Sequence, residues 1–292
     1  MKVLSAASLV LILGSVGLAH TGTTECIPKN DLHISESFNL SGITKEEFET
    51  VLDQVEKTYA PIIKEHGATL DVVRSWDDDT VNAQAWQTGK TWHIEMFGGL
   101  ARHKETTVDG MALVACHELG HHLGGLPRVD WASNEGQSDY FGSLKCLRKV
   151  WAKDDNEEIV SKLKIPETVT EKCSAEHKKA SDVAICQRGA MAGMALGRLL
   201  GSLSGDKMPN FDTPDSKVVK KTNNNHPRAQ CRLDTYFAGS ICKIDAGIDV
   251  SNSDSEVGVC SRKFGETVGV RPLCWFFDSS AEKDSVLLTL IQ

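Results

Sequence analysis

Three things are missing from this 292-residue chain. There is no surplus of positive charge: 32 Lys and Arg face 40 Asp and Glu, a formal net charge of −8. A surface that captures phosphate backbones needs the opposite balance, so nucleic acid is excluded as a partner. Beyond Ala19 there is no apolar run of the roughly 20 residues that a bilayer span requires, which excludes a membrane span in the mature chain. No internal repeat is visible, and with it go solenoids and propellers.

What is present begins with an export signal. Met1-Lys2 is a minimal positive region, Val3 to Ala19 is apolar, and Gly17-Leu18-Ala19 offers small residues for cleavage. Residues 1–19 are therefore expected to be a signal peptide, and the mature protein to be periplasmic or secreted. All nine cysteines lie beyond it. In an exported chain they predict disulfides, and an odd count leaves at least one free, metal-bound or paired between chains. Spacing suggests three local pairs, Cys173 with Cys186, Cys231 with Cys242, and Cys260 with Cys274. Cys116 reads as a buried thiol.

Thr44-Lys45-Glu46-Glu47 is a capping box, followed by Phe48, Val51, Leu52, Val55 and Tyr59 at helical spacing. Thr69 to Trp76, Val81 to Trp86 and Thr91 to Phe97 are strand-like, broken by Asp77-Asp78-Asp79 and Thr88-Gly89-Lys90, which predicts a small antiparallel sheet. A helix capped by Thr106 or Thr107 stops at Gly124-Gly125, and Ser133 is expected to cap another running to about Trp151. Further helices are expected over 155–164, 167–180, 182–203 and 227–238. The third of these carries Gly189, Gly193, Gly197 and Gly201, a stripe for close helix packing. Residues 206–225 and 243–258 read as loops. The divisions are 1–19 signal, 20–240 main domain, and 241–292 a cysteine-containing extension.

The chemistry lies in His117-Glu118-Leu119-Gly120-His121. Residues four apart on a helix sit about 40° apart around the axis, so both imidazoles can reach one ion and Glu118 can reach a water beside it. The preceding run, Met111 to Cys116, is nearly all apolar, so these polar groups belong to a buried helix and need partners there. Two histidines do not complete a catalytic zinc site. The long pattern that places a third histidine further on is not met, because Pro127 stands in that position. A carboxylate from the next helix is the alternative. Glu135 and Asp139 lie four apart on one face: Glu135 can bind the ion, and Asp139 can fix the tautomer of a ligand histidine.

This order of elements resembles the gluzincin metallopeptidases. Asn82-Ala83-Gln84-Ala85 before the pentapeptide, and His226-Pro227 with Arg232-Leu233 after it, are similar to the HtpX-like and CAAX-prenyl-protease-like members, over about residues 80 to 236. The resemblance implies an α+β, mainly helical zincin-type fold with the small sheet upstream of the pentapeptide helix. It implies one Zn²⁺ on His117, His121 and Glu135, with Glu118 as general base. It also implies His226 as the donor to the oxyanion and Arg232 as a brace. Asn82, Ala83 and Ala85 would form an edge strand that receives an extended polypeptide substrate through main-chain bonds. Two other classes stay open: a zinc-stabilised chaperone or assembly factor of the cell envelope, and a hydrolase of a non-peptide amide.

Overall fold

Thr44 and Glu47 close the expected capping box. The Thr44 hydroxyl accepts from the Glu47 N–H, and the Glu47 carboxylate accepts from the Thr44 N–H. Two otherwise orphaned donors are thereby satisfied at the start of α1 (Lys45–Glu65), whose Phe48, Val51, Leu52, Val55, Tyr59 and Ile63 form one buried stripe. The computed structural model describes residues 21–37 and 42–281; the expected signal segment lies outside them. Ahead of α1 runs a short strand, β1 (Thr24–Glu25), which the sequence reading did not contain.

Three strands follow: β2 (Thr69–Ser75), β3 (Ala83–Thr88) and β4 (Thr91–Phe97). The sheet order is β1-β3-β4-β2. β3 and β4 are an antiparallel hairpin that turns at Gly89, whose φ of 59° is one that glycine adopts without strain. β2 and β4, however, are parallel. The sheet is therefore mixed, a correction to the antiparallel sheet expected. The cause is the connection over residues 76–82, which carries the chain past β4 before β3 begins. Arg102 holds that crossing: its guanidinium donates to the carbonyls of Trp76 and Asp78 and to the Asp79 carboxylate.

The helices come next. α2 (Gly98–Arg102) leads into α3 (Val108–Leu123), capped by the Thr107 hydroxyl. A two-strand ribbon, β5 (Arg128–Val129) and β6 (Ala132–Ser133), precedes α4 (Glu135–Phe141). Asn134, and not Ser133, caps α4, because Ser133 is still extended while the Asn134 side chain accepts from the Gln137 N–H. α4 runs on through a π-helical turn, Gly142–Cys146, into α5 (Leu147–Val150). Then come α6 (Asn156–Ser161), α7 (Glu167–Glu176), α8 (Ala180–Ser204) and α9 (Ala229–Ile241). The architecture is α+β, mainly helical with one small sheet.

α3 is the centre of the fold, buried without a break from Gly110 to His122 and packed on α1, β3, α4 and α8. Met111, Leu113 and Leu119 are wholly buried, and each such side chain contributes about 1.5–3 kcal/mol of transfer free energy. The glycine stripe of α8 lies on α9. A methyl at Gly193 would come 2.7 Å from Tyr236 Cβ, so glycine sets the close approach of the two helices. No helix among the described residues is long and apolar enough to cross a membrane.

Four disulfides staple the chain. Cys173–Cys186 is as expected. Cys231 pairs with Cys274 and Cys242 with Cys260, which corrects the other two expected pairs. Cys231 lies near the start of α9 and Cys242 caps its end. Eleven residues of helix separate them by about 16 Å, far beyond the roughly 7 Å that a disulfide can bridge. Cys116 is not a thiol but is bonded to Cys146, tying α3 to the π-helical turn. Cys26 is the free one, and it is buried. The C-terminal stretch is stapled down as well as bonded: Trp275 is fully buried against Gly136, at the start of α4.

Candidate metal centre

The pentapeptide lies at the buried end of α3, and His117, Glu118 and His121 have no solvent exposure. α4 crosses close by. A methyl at Gly120 would come 2.8 Å from Ser138 Cα, so the glycine inside the pentapeptide lets α4 approach and brings Glu135 to the histidines. Glu135 Oε2 is 3.3 Å from His117 Nε2, and Oε1 is 3.8 Å from His121 Nε2. The ligand atoms of His117, His121 and Glu135 lie within 4.8 Å of one another, a set that can hold a metal ion.

The far side of each imidazole is already committed. His117 Nδ1 is 2.7 Å from Asp139 Oδ1, and His121 Nδ1 is 2.9 Å from the Ser133 carbonyl. A carboxylate and a carbonyl only accept, so both Nδ1 atoms carry the proton and both Nε2 atoms turn a lone pair inward. Burial drives His121 down to about 4, against the pull of Glu135, which keeps its ring neutral. Asp139 is held in turn by three donors. Arg232 Nε and Nη2 reach its two oxygens at 2.7 and 2.6 Å, and the Tyr236 hydroxyl donates to Oδ1 at 2.7 Å. Burial opposes the charge on Asp139, but Arg232 and His117 hold its carboxyl far below the usual range. Arg232 thus touches the carboxylate behind a ligand and acts as a positioning residue.

The inward side is different. His117 Nε2, His121 Nε2, both carboxylate oxygens of Glu118 and Glu135 Oε2 are buried and have no hydrogen-bond partner. The ion-pair distances to Glu135 do not satisfy them, because neither Nε2 has a proton to give. Burial pushes the Glu118 carboxyl up to about 8. A cation suits this donor set, as it would take two lone pairs and a carboxylate at once.

His226 reaches the site from the loop before α9. Asn134 steadies that loop by donating to the Asn223 carbonyl and the Asn224 side chain. His226 Nε2 is 3.2 Å from Glu135 Oε2, but its N–H is taken by the Glu25 carbonyl at 2.7 Å. Asn82, Ala83 and Ala85 lie along the site as expected, but not as an open edge. β1 pairs with β3, Thr24 opposite Ala85 and Glu25 opposite Gln84, and the Asn82 side chain binds both backbone groups of Ile27. The expectation of a vacant edge is corrected by this segment, which two residues of strand made too short to recognise.

His93, His103 and His122 stand apart from the ligand set, as expected. His122 is stacked on Trp92 and bonded to Gln87 and the His93 carbonyl. Missed in the sequence were Tyr236, Ser133 as the partner of His121, and the bond Cys116–Cys146. Only Tyr236 carried a signal, four residues after Arg232 on one helix face. A scan against protein-family models and searches of curated proteins and of solved structures find no match.

Proposed function

We propose that the protein is an exported zinc-dependent endopeptidase with a gluzincin-type site. The observation that carries this is the set of partnerless buried atoms on His117, His121, Glu135 and Glu118, all facing inward, while the outer nitrogens of both rings are already spent. Two neutral imidazoles and one carboxylate suit Zn²⁺, and the four disulfides fit an exported chain. When bound, the ion supplies Lewis-acid polarisation and makes water a nucleophile near neutral pH.

The chain's own residues do the rest. Glu118 takes the proton from the attacking water and returns it to the leaving amine nitrogen. A purely structural site needs no such group, which favours hydrolysis over a zinc-stabilised chaperone. His226 offers an N–H to a peptide carbonyl, the bond it already makes with Glu25, and this is the donor an oxyanion needs. Asp139, held by Arg232 and Tyr236, keeps His117 in one tautomer and one orientation.

The test is elemental analysis together with cleavage of a quenched extended peptide, with and without chelator, for the unaltered chain and Glu118→Gln. One zinc per chain and cleavage lost on chelation and in Glu118→Gln are expected. Cleavage that survives both treatments overturns the proposal, and zinc without turnover favours the chaperone reading.

A further inference from the structure

β3 has two sides. One bonds to β4; the other turns the backbone groups of Ala83, Ala85 and Gln87 toward residues 21–26. The Thr21 N–H donates to the Gln87 carbonyl at 3.0 Å, and the Thr21 hydroxyl accepts from the Gln87 N–H at 2.7 Å. The Thr24 hydroxyl donates to the Ala85 carbonyl, and the Cys26 N–H to the Ala83 carbonyl at 3.1 Å. The segment runs antiparallel to β3 in an extended conformation. Its Glu25 carbonyl accepts from His226, the donor assigned above to a substrate carbonyl.

We propose that residues 21–25 are an internal occupant of the substrate groove: a strap that fills the place of an extended peptide and keeps the site closed until it is displaced. This rests on the endopeptidase reading for its purpose, though not for its geometry. A segment tethered within the chain competes at an effective concentration in the millimolar range, which shuts out a free peptide present at micromolar levels. The strap is built to let go at one end only. Residues 21–25 are half-buried or exposed, whereas Cys26 and Ile27 are fully buried and anchored by Arg232 and Asn82. Release therefore frees the β3 edge and the His226 N–H while Cys26 stays in place. Next to the anchor a cavity of about 300 Å³, lined by Ile27, Pro28, Asn30, Leu200 and His226, offers room for a side chain of the incoming peptide.

The experiment uses the full chain. Thr24→Pro removes a ladder N–H from the strap and leaves β3 untouched. Binding of a labelled peptide copying residues 20–30, with Cys26→Ser, is followed by fluorescence anisotropy in the zinc-loaded Glu118→Gln background. An affinity raised about tenfold or more by Thr24→Pro is expected, the equivalent of about 1.4 kcal/mol. Equal affinity with and without the substitution overturns the strap. If Thr24→Pro does not fold, Thr21→Val, which removes the acceptor for Gln87, is read in the same way. In the unaltered chain the Gln87 amide should exchange slowly with solvent deuterium, and fast exchange there also overturns the proposal. Tighter binding without cleavage when Glu118 is intact leaves the strap standing and removes the endopeptidase reading.

Discussion

His117 presents its two ring nitrogens to opposite surroundings. Behind the ring, Nδ1, Asp139, Arg232 and Tyr236 form a closed set in which each charge has its partner. In front, Nε2 and its neighbours on His121, Glu118 and Glu135 have none. Both regions are equally buried, so solvent does not explain the difference. The outer layer is a finished structure, worth keeping only if something is to be held in the inner one. A fold that leaves buried groups bare forfeits several kcal/mol, and here the loss is confined to the face where a cation would recover it.

The contrast can be broken from either side. The largest effect is expected from the inner face: Glu118→Gln should lower kcat of the zinc enzyme by about 10²–10⁴-fold, the range for a general acid–base, and leave zinc content unchanged by elemental analysis. From the outer face, Arg232→Met strands the buried Asp139 charge and should cost about 3–5 kcal/mol in urea unfolding. Adding Asp139→Asn should recover part of that loss, which a double-mutant cycle measures.

A pH series sharpens the same contrast. In metal-free protein, Glu118 is raised from 4.5 to about 8 by burial. The folded state then binds more protons than the unfolded one, so the contribution of Glu118 is fully present below its ordinary value and is lost as pH rises through about 8. Asp139, held far below its ordinary value, acts in reverse, and its contribution fades as pH falls below 3.8. Chelator-treated protein should therefore lose stability across the neutral range, and Glu118→Gln should flatten that slope. The smallest effect is geometric. Gly120→Ala should push α3 from α4 at a cost of about 1–3 kcal/mol and weaken zinc affinity more than it changes the outer hydrogen bonds, a split seen by calorimetry.

Much of this was legible in the chain because the information was local. His117, Glu118 and His121 needed only helical period. Glu135 and Asp139 needed only the same period on the next helix, and the Thr44 capping box sat within four residues. What could not be read depended on tertiary distance. The parallel pairing of β2 with β4 depends on how residues 76–82 cross the sheet. The partners of Cys231 and Cys242 are fixed by the length of α9 and not by their spacing. The Ser133 carbonyl is a backbone atom, and no residue type announces it. The strap is two residues of strand with little hydrophobic pattern, and it acquires meaning only when β3 is seen to need a neighbour.

The cystine between Cys116 and Cys146 adjoins His117 in sequence and joins the two rods that supply the cradle. Closing a loop of that length removes about 3–4 kcal/mol of freedom from the unfolded chain. Maturation thereby acquires an order: oxidation first, ion capture second. A reductant gentle enough to spare the other bridges should loosen the grip on the ion before it melts the protein, so the cradle doubles as a record of whether the chain has left a reducing compartment.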